Sequence, residues 1–115
     1  MIIWINGSFG VGKTTVAEKL KEEIDKSIIY DPEKIGMFLS NTLPTKEDDF
    51  QDYKLWRTIN YEMLKNLYPE FEVIIVPMTI INLHYYDEIV GRLERDGINI
   101  KHFILSASKE NIINR

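Results

Sequence analysis

Gly7-Ser8-Phe9-Gly10-Val11-Gly12-Lys13-Thr14 packs three glycines, a lysine and hydroxyl residues into one short run. It matches the pattern G-x-x-x-x-G-K-[ST], the P-loop or Walker A turn, whose chemistry is the binding of a phosphate chain. Phosphates need several inward-pointing N–H groups, and glycine permits the tight left-handed backbone that supplies them. A helix opening near Gly12 would aim its unpaired N–H groups and positive dipole end at the same anion. In such a turn Ser8, Phe9, Gly10 and Val11 contribute backbone, Lys13 reaches the β- and γ-phosphates, Thr14 ligates Mg²⁺ and Thr15 faces the α-phosphate side. The competing reading is a glycine-rich turn with an incidental lysine. The flanks decide against it, because an apolar run precedes the turn and an amphipathic segment follows it.

Other polar residues are candidates for a second substrate. Asp31 follows the apolar run "SIIY", at the carboxyl end of an expected strand, where ligands gather in doubly wound sheets. It could bind a substrate hydroxyl, act as base toward it, or join the Mg²⁺ shell through water. Equally, it could cap a helix that starts at Pro32, and the two roles are compatible. Arg57, within "LWRTINY", suits phosphate or carboxylate recognition, although a solvated arginine on a polar helix face is the simpler reading. Thr79 closes "VPMT" and reads as either a cleft contact or a loop cap. The same stretch lacks the Walker B aspartate that often holds Mg²⁺, so metal binding would fall on Thr14, the phosphates, water and Asp31. Trp56 and Tyr61 read as core, with an aromatic shelf for a base as the alternative. His84 and His102 lack ligand spacing, and Glu47-Asp48-Asp49 reads as a solvated loop.

These residues need a frame. Met1 to Ile5 is short and wholly apolar, as a central parallel strand buried on both faces would be. From Lys13 to about Asp25, Val16, Leu20 and Ile24 mark one helix face beside Ala17. Residues 27–31 are a second strand, and a short helix follows Asp31-Pro32. Residues 41–52 read as a loop, and Trp56, Ile59, Met63 and Leu67 stripe a helix over 53–68. A strand at 71–77 precedes a helix marked by Leu83, Tyr86, Ile89, Val90 and Leu93, which Gly97 can end. Residues 98–105 form the last expected strand, and 106–115 begin another helix. Strands alternating with helices imply a parallel sheet with crossover helices.

Composition narrows the class. At 115 residues the chain is expected to be one domain, 1–115. A formal charge of −4 provides no basic face for nucleic acid. No apolar run reaches the roughly 18 residues of a membrane span, and no basic stretch of a secretion signal opens the chain. The absence of cysteine removes disulfides and thiolate metal sites and suits a cytoplasmic protein.

No N-K-x-D string for guanine occurs, and the inner G-x-G-K pair looks like the small-molecule kinases, with adenylate kinase as the familiar type. The blocks "MIIWINGSFGVGKT", "YDPEKIG", "DDFQDYKLWR", "IIVPMTI", "EIVGRLERDG" and "HFILSASKE" together resemble the ATP-binding tunicamycin-resistance proteins, with "YDPEKIG" and "IVPMT" the discriminating ones. That resemblance runs essentially from residue 1 to residue 115. It implies an α/β P-loop NTPase with nucleoside- or shikimate-kinase-like strand order 2-3-1-4, using ATP and Mg²⁺. Lys13 and Asp31 would then be the catalytic candidates, with Asp31, Arg57 and Thr79 toward a small-molecule acceptor such as tunicamycin. Small kinases of this kind carry an arginine-bearing lid and a fifth strand after the point where this sequence stops. Both are expected to be absent here, with Arg115 as at most the first lid arginine. Sequestration of the drug without phosphoryl transfer, and phosphorylation of another metabolite, are the alternatives.

Overall fold

β1 (Ile2–Gly7) is buried along its whole length and lies between two other strands. The computed structural model describes residues 1–7 and 12–105, and the backbone of 112–114. After β1 come α1 (Lys13–Glu23), β2 (Ser27–Ile29), α2 (Pro32–Thr42) and α3 (Lys54–Leu67). β3 (Val73–Pro77) leads to α4 (Leu83–Tyr86), which continues through a π-helical turn (Asp87–Gly91) into α5 (Arg92–Arg95), and then β4 (Ile100–Leu105). Short 3₁₀ turns at Phe50–Asp52 and Tyr68–Glu70 flank α3. Among the described residues, β2, β3, β1 and β4 form a parallel sheet in that order, as the sequence implied.

One expectation is corrected. Residues 112–114, read as part of a helix, form β5 (Ile112–Asn114), antiparallel to β4 with Leu105 opposite Ile112 and Phe103 opposite Asn114. A fifth strand is therefore present, of antiparallel sense and at the outer edge. The β-branched pair Ile112-Ile113 favours a strand, and the outer edge of β4 offers unpaired N–H and C=O groups to receive it. The rest of 106–115, with Arg115, lies outside the described residues.

Strand alternation divides the core. Ile2, Trp4, Ile74 and Val76 face Leu39, Trp56, Tyr61, Leu64, Ile89, Val90 and Leu93 on one side of the sheet. Ile3, Ile5, Val73, Ile75 and Leu105 face the other, where α1 contributes the fully buried Ala17 and the half-buried Val16 and Leu20. Beside α1 a shallow apolar groove of about 80 Å³ runs between Ile3, Ile5, Val16, Leu20 and Phe103. The helical run ends as expected at Gly97. With φ of 90° it lets its own N–H reach Glu94 O at 3.0 Å and the Ile98 N–H reach Leu93 O at 3.1 Å.

A polar pair inside the larger core ties α3 to the end of β2. Tyr30 Oη donates to Asn60 Oδ1 at 2.6 Å, and Asn60 Nδ2 donates to Trp56 O at 2.8 Å, with Asn60 fully buried. Replacing one partner strands the other. Tyr30→Phe or Asn60→Leu should therefore each cost about 1–3 kcal/mol, and the double variant should cost less than the sum. Urea unfolding of the three variants gives that comparison.

Candidate functional site

The carboxyl ends of β1 and β3 are laced together. Trp4 Nε1 donates to Met78 O at 2.8 Å, the Met78 N–H to Ile5 O at 3.1 Å, and the Ile80 N–H to Asn6 Oδ1 at 3.3 Å. Thr79 finishes the lacing. Its hydroxyl accepts from the Gly7 N–H at 3.0 Å and donates back to the Gly7 carbonyl. Thr79, read from the sequence as either a cleft contact or a loop cap, thus clamps the residue from which the glycine turn departs.

On the far side of that turn, Gly12 takes φ of 84° and ψ of 31°, and α1 begins with no side-chain cap and no acid in its first turn. Lys13 Nζ donates to Gly7 O at 3.1 Å, so the lysine spans the turn. Thr14 and Thr15 are exposed on the first turn of α1. Ser8, Phe9, Gly10 and Val11 lie outside the described residues.

Asp31 stands at the start of α2, just past β2, with β3 between that strand and β1. Its Oδ1 accepts from the Glu33 N–H at 3.0 Å, so the capping role is realised. A carboxylate has a second oxygen, which capping leaves for other work. Trp56 Nε1 donates to Pro32 O at 2.9 Å and fixes the opening of α2 against α3. Burial, with the Asp31 charge beside it, raises the Tyr30 hydroxyl well above the ordinary tyrosine range.

Arg57 is not the solvated residue of the simpler reading: its side chain is only 11% exposed. Nε meets Glu88 Oε1 at 3.0 Å, one terminal nitrogen donates to Gln51 O at 2.7 Å, and the guanidinium lies 4.1 Å from the centre of the Tyr85 ring. Glu88 comes from the π-helical turn. Gln51 also donates from Nε2 to Thr79 O at 2.9 Å. The structure therefore joins Lys13, Gly7, Thr79, Gln51 and Arg57 in one chain of polar contacts.

Beside this chain opens a cleft of about 500 Å³ lined by Asp49, Gln51, Asp52, Thr79, Asn82 and Tyr85, with Ile81 at its side. Tyr85 Oη donates to Asp52 Oδ1 at 2.7 Å, a bond that raises the Tyr85 hydroxyl above its usual value. The sequence reading missed Gln51, Asp52, Asn82 and Tyr85. Two signals were present: Asp49 caps the 3₁₀ turn through the Gln51 N–H, and Asn82 caps α4. Each is a short polar residue ahead of a helical turn, a pattern visible in sequence. His102 is satisfied by Tyr86 and Glu94, and Trp56 and Tyr61 are core residues. Among the described residues, no group of three or more acids and histidines has the geometry of a metal site.

A four-strand parallel sheet in the order 2-3-1-4, crossed by helices and carrying a glycine turn between β1 and α1, defines a P-loop kinase-like α/β domain. No protein-family model matches the sequence, and no curated protein matches it. Among solved structures, the chain is similar to the tunicamycin resistance protein of Deinococcus radiodurans, with a TM-score of 0.78 and 33% identity over 90% of this chain. It spans 60% of that protein. The likeness read from the sequence blocks is thus matched in three dimensions. The APS kinase of Mycobacterium tuberculosis superposes with a TM-score of 0.68 over 97% of this chain and 78% of that one, and at 17% identity it shows the fold alone.

Two measurements check the cleft. Arg57→Lys loses the fork geometry that reaches Glu88 and Gln51 together, and should cost about 1–3 kcal/mol in urea unfolding. Asp52→Ala removes the acceptor that holds the Tyr85 proton. Tyr85 should then ionise at lower pH than in the unaltered chain, as followed by NMR of its ring.

Proposed function

We propose that the chain binds ATP with Mg²⁺ through Gly7, Ser8, Phe9, Gly10, Val11, Gly12, Lys13, Thr14 and Thr15, and serves phosphoryl transfer to a small molecule. The observation that carries this reading is the opening of α1. A left-handed Gly12, no competing side-chain cap and no first-turn acid leave the helix N–H groups and dipole for an anion. The residues present fit the ligand: Lys13 spans the turn, and Thr14 offers an exposed hydroxyl of the kind that holds Mg²⁺. When bound, Mg²⁺·ATP supplies the phosphoryl group. Lys13 would then neutralise charge on the γ-phosphoryl oxygens. Asp31 would hold an acceptor hydroxyl and take its proton, Thr79 would fix the turn and border the acceptor, and Arg57 would keep Gln51 and Tyr85 in place. By its likeness to the Deinococcus protein, tunicamycin is the first acceptor to try.

A second reading has one specific observation behind it. β3 ends at Val76-Pro77 and continues into Met78-Thr79 with no carboxylate, which weakens the expected metal shell. A module that binds nucleotide and drug without turnover would need no such shell. Transfer of labelled phosphate from ATP to tunicamycin separates the two readings. Another metabolite as acceptor would show as labelled product from a wider acceptor screen.

Calorimetric titration with Mg²⁺·ATP tests the phosphate site. Saturable binding is expected, at least about tenfold weaker in Lys13→Ala, on the scale of one charge-assisted contact. Thr79→Val, which unclamps Gly7, should weaken it in the same direction. A folded chain that takes up no ATP would overturn the proposal.

A further inference from the structure

The cleft beside the glycine turn has a distinct charge. Asp49 and Asp52 line it, and among its described lining residues there is no Lys, Arg or His. The nearest cation in the polar chain, Arg57, is spent: Glu88 pairs with it at 3.0 Å, the Gln51 carbonyl takes a second donor at 2.7 Å, and Tyr85 covers its face. At 11% exposure, that side chain is largely enclosed by these partners.

Two donors of the cleft are committed within the fold. The Gln51 amide nitrogen goes to Thr79 O, and the Tyr85 hydroxyl goes to Asp52. What the walls present is the carboxylate oxygen of two aspartates, which only accepts, the side-chain amide of Asn82, and Ile81, which is 86% exposed. Two carboxylates with no lining cation therefore select a ligand without negative charge. A phosphate monoester would set its charge against two carboxylates.

We propose that this cleft takes an uncharged or cationic hydroxyl compound as phosphoryl acceptor and rejects phosphate monoesters. The inference rests on the phosphoryl-transfer reading above and names the substrate class for it. In the step, the acceptor hydroxyl oxygen forms its bond to the γ-phosphorus as the bond from that phosphorus to the β,γ-bridging oxygen breaks. ADP leaves with the electron pair, and the hydroxyl proton passes to a carboxylate in reach of the acceptor.

Matched ligand pairs test it by amide NMR of the labelled chain. Glucosamine and ribose are titrated beside glucosamine 6-phosphate and ribose 5-phosphate, all in saturating Mg²⁺·ATP. The unphosphorylated sugars should shift the Gln51, Asp52, Ile81 and Tyr85 resonances, and their phosphates should bind at least about tenfold more weakly, as like charges in a partly solvated cleft require. Asp49→Asn with Asp52→Asn keeps the capping and acceptor oxygens while removing the charge, and should close most of that gap. Phosphorylated sugars binding as well as their parents, a gap untouched by the double variant, or no shift at these residues from either sugar would each overturn the assignment. Shifts at Gly12 to Thr15 on adding Mg²⁺·ATP report the phosphate site separately. Their absence beside an intact sugar preference sinks phosphoryl transfer, and their presence beside a lost preference sinks only the acceptor class.

Discussion

β1 is hydrogen-bonded on both edges and buried on both faces, and everything that follows it in space depends on that confinement. A strand so enclosed cannot slip, because a shift of one residue would carry Trp4 to the face of Ala17 and Ile5 to the face of Trp56. Its last residue, Gly7, therefore emerges at a fixed height, level with Leu105 of β4. The Thr79 hydroxyl then holds that residue from the β3 side. A turn that must present many N–H groups to one ligand gains from such an anchored entry, since the ordering cost is met in folding and not in binding.

From that anchor the polar contacts spread sideways and not upward. Gln51 reads the Thr79 carbonyl with its side-chain amide and offers its backbone carbonyl to Arg57, so one residue couples the loop after β3 to α3. Gly36 permits this geometry, because a Cβ there would run into the ring of Phe50, the first residue of the 3₁₀ turn that carries Gln51 and Asp52. The wider π-helical turn brings Glu88 to Arg57 while Ile89 and Val90 stay buried. Arginine in this setting is a brace, and its charge is consumed by the fold.

The frame was legible in the sequence because its signals are local. Continuous apolar runs marked the buried strands, Asp31-Pro32 marked the start of α2, and Gly97 marked the end of the long helical run. The glycine turn declared its chemistry through spacing alone. The cleft was not legible, since Asp52 meets Tyr85 and Gln51 meets Thr79 across separations that no periodicity encodes. Arg57 shows the difference well. The simpler reading put it on a solvated helix face, whereas its environment is set by Glu88, which arrives from a different crossover. The β5 edge was missed for a related reason: a polar stretch ahead of Ile112-Ile113 resembles a helix start until the open edge of β4 is taken into account.

The two faces of the sheet are unequally clothed. α2, α3 and the helical run through α5 bury one side, whereas α1 covers the other with a single fully buried residue, Ala17, and leaves the groove along Phe103 beside it. Local opening is least costly where few apolar contacts must be given up. The helix that carries Lys13, Thr14 and Thr15 thus buries fewer residues than α3, and its backbone amides are expected to exchange with solvent sooner. Any anion held at its first turn is a fastening for the whole helix, so that occupancy of the turn and the order of this face rise and fall together.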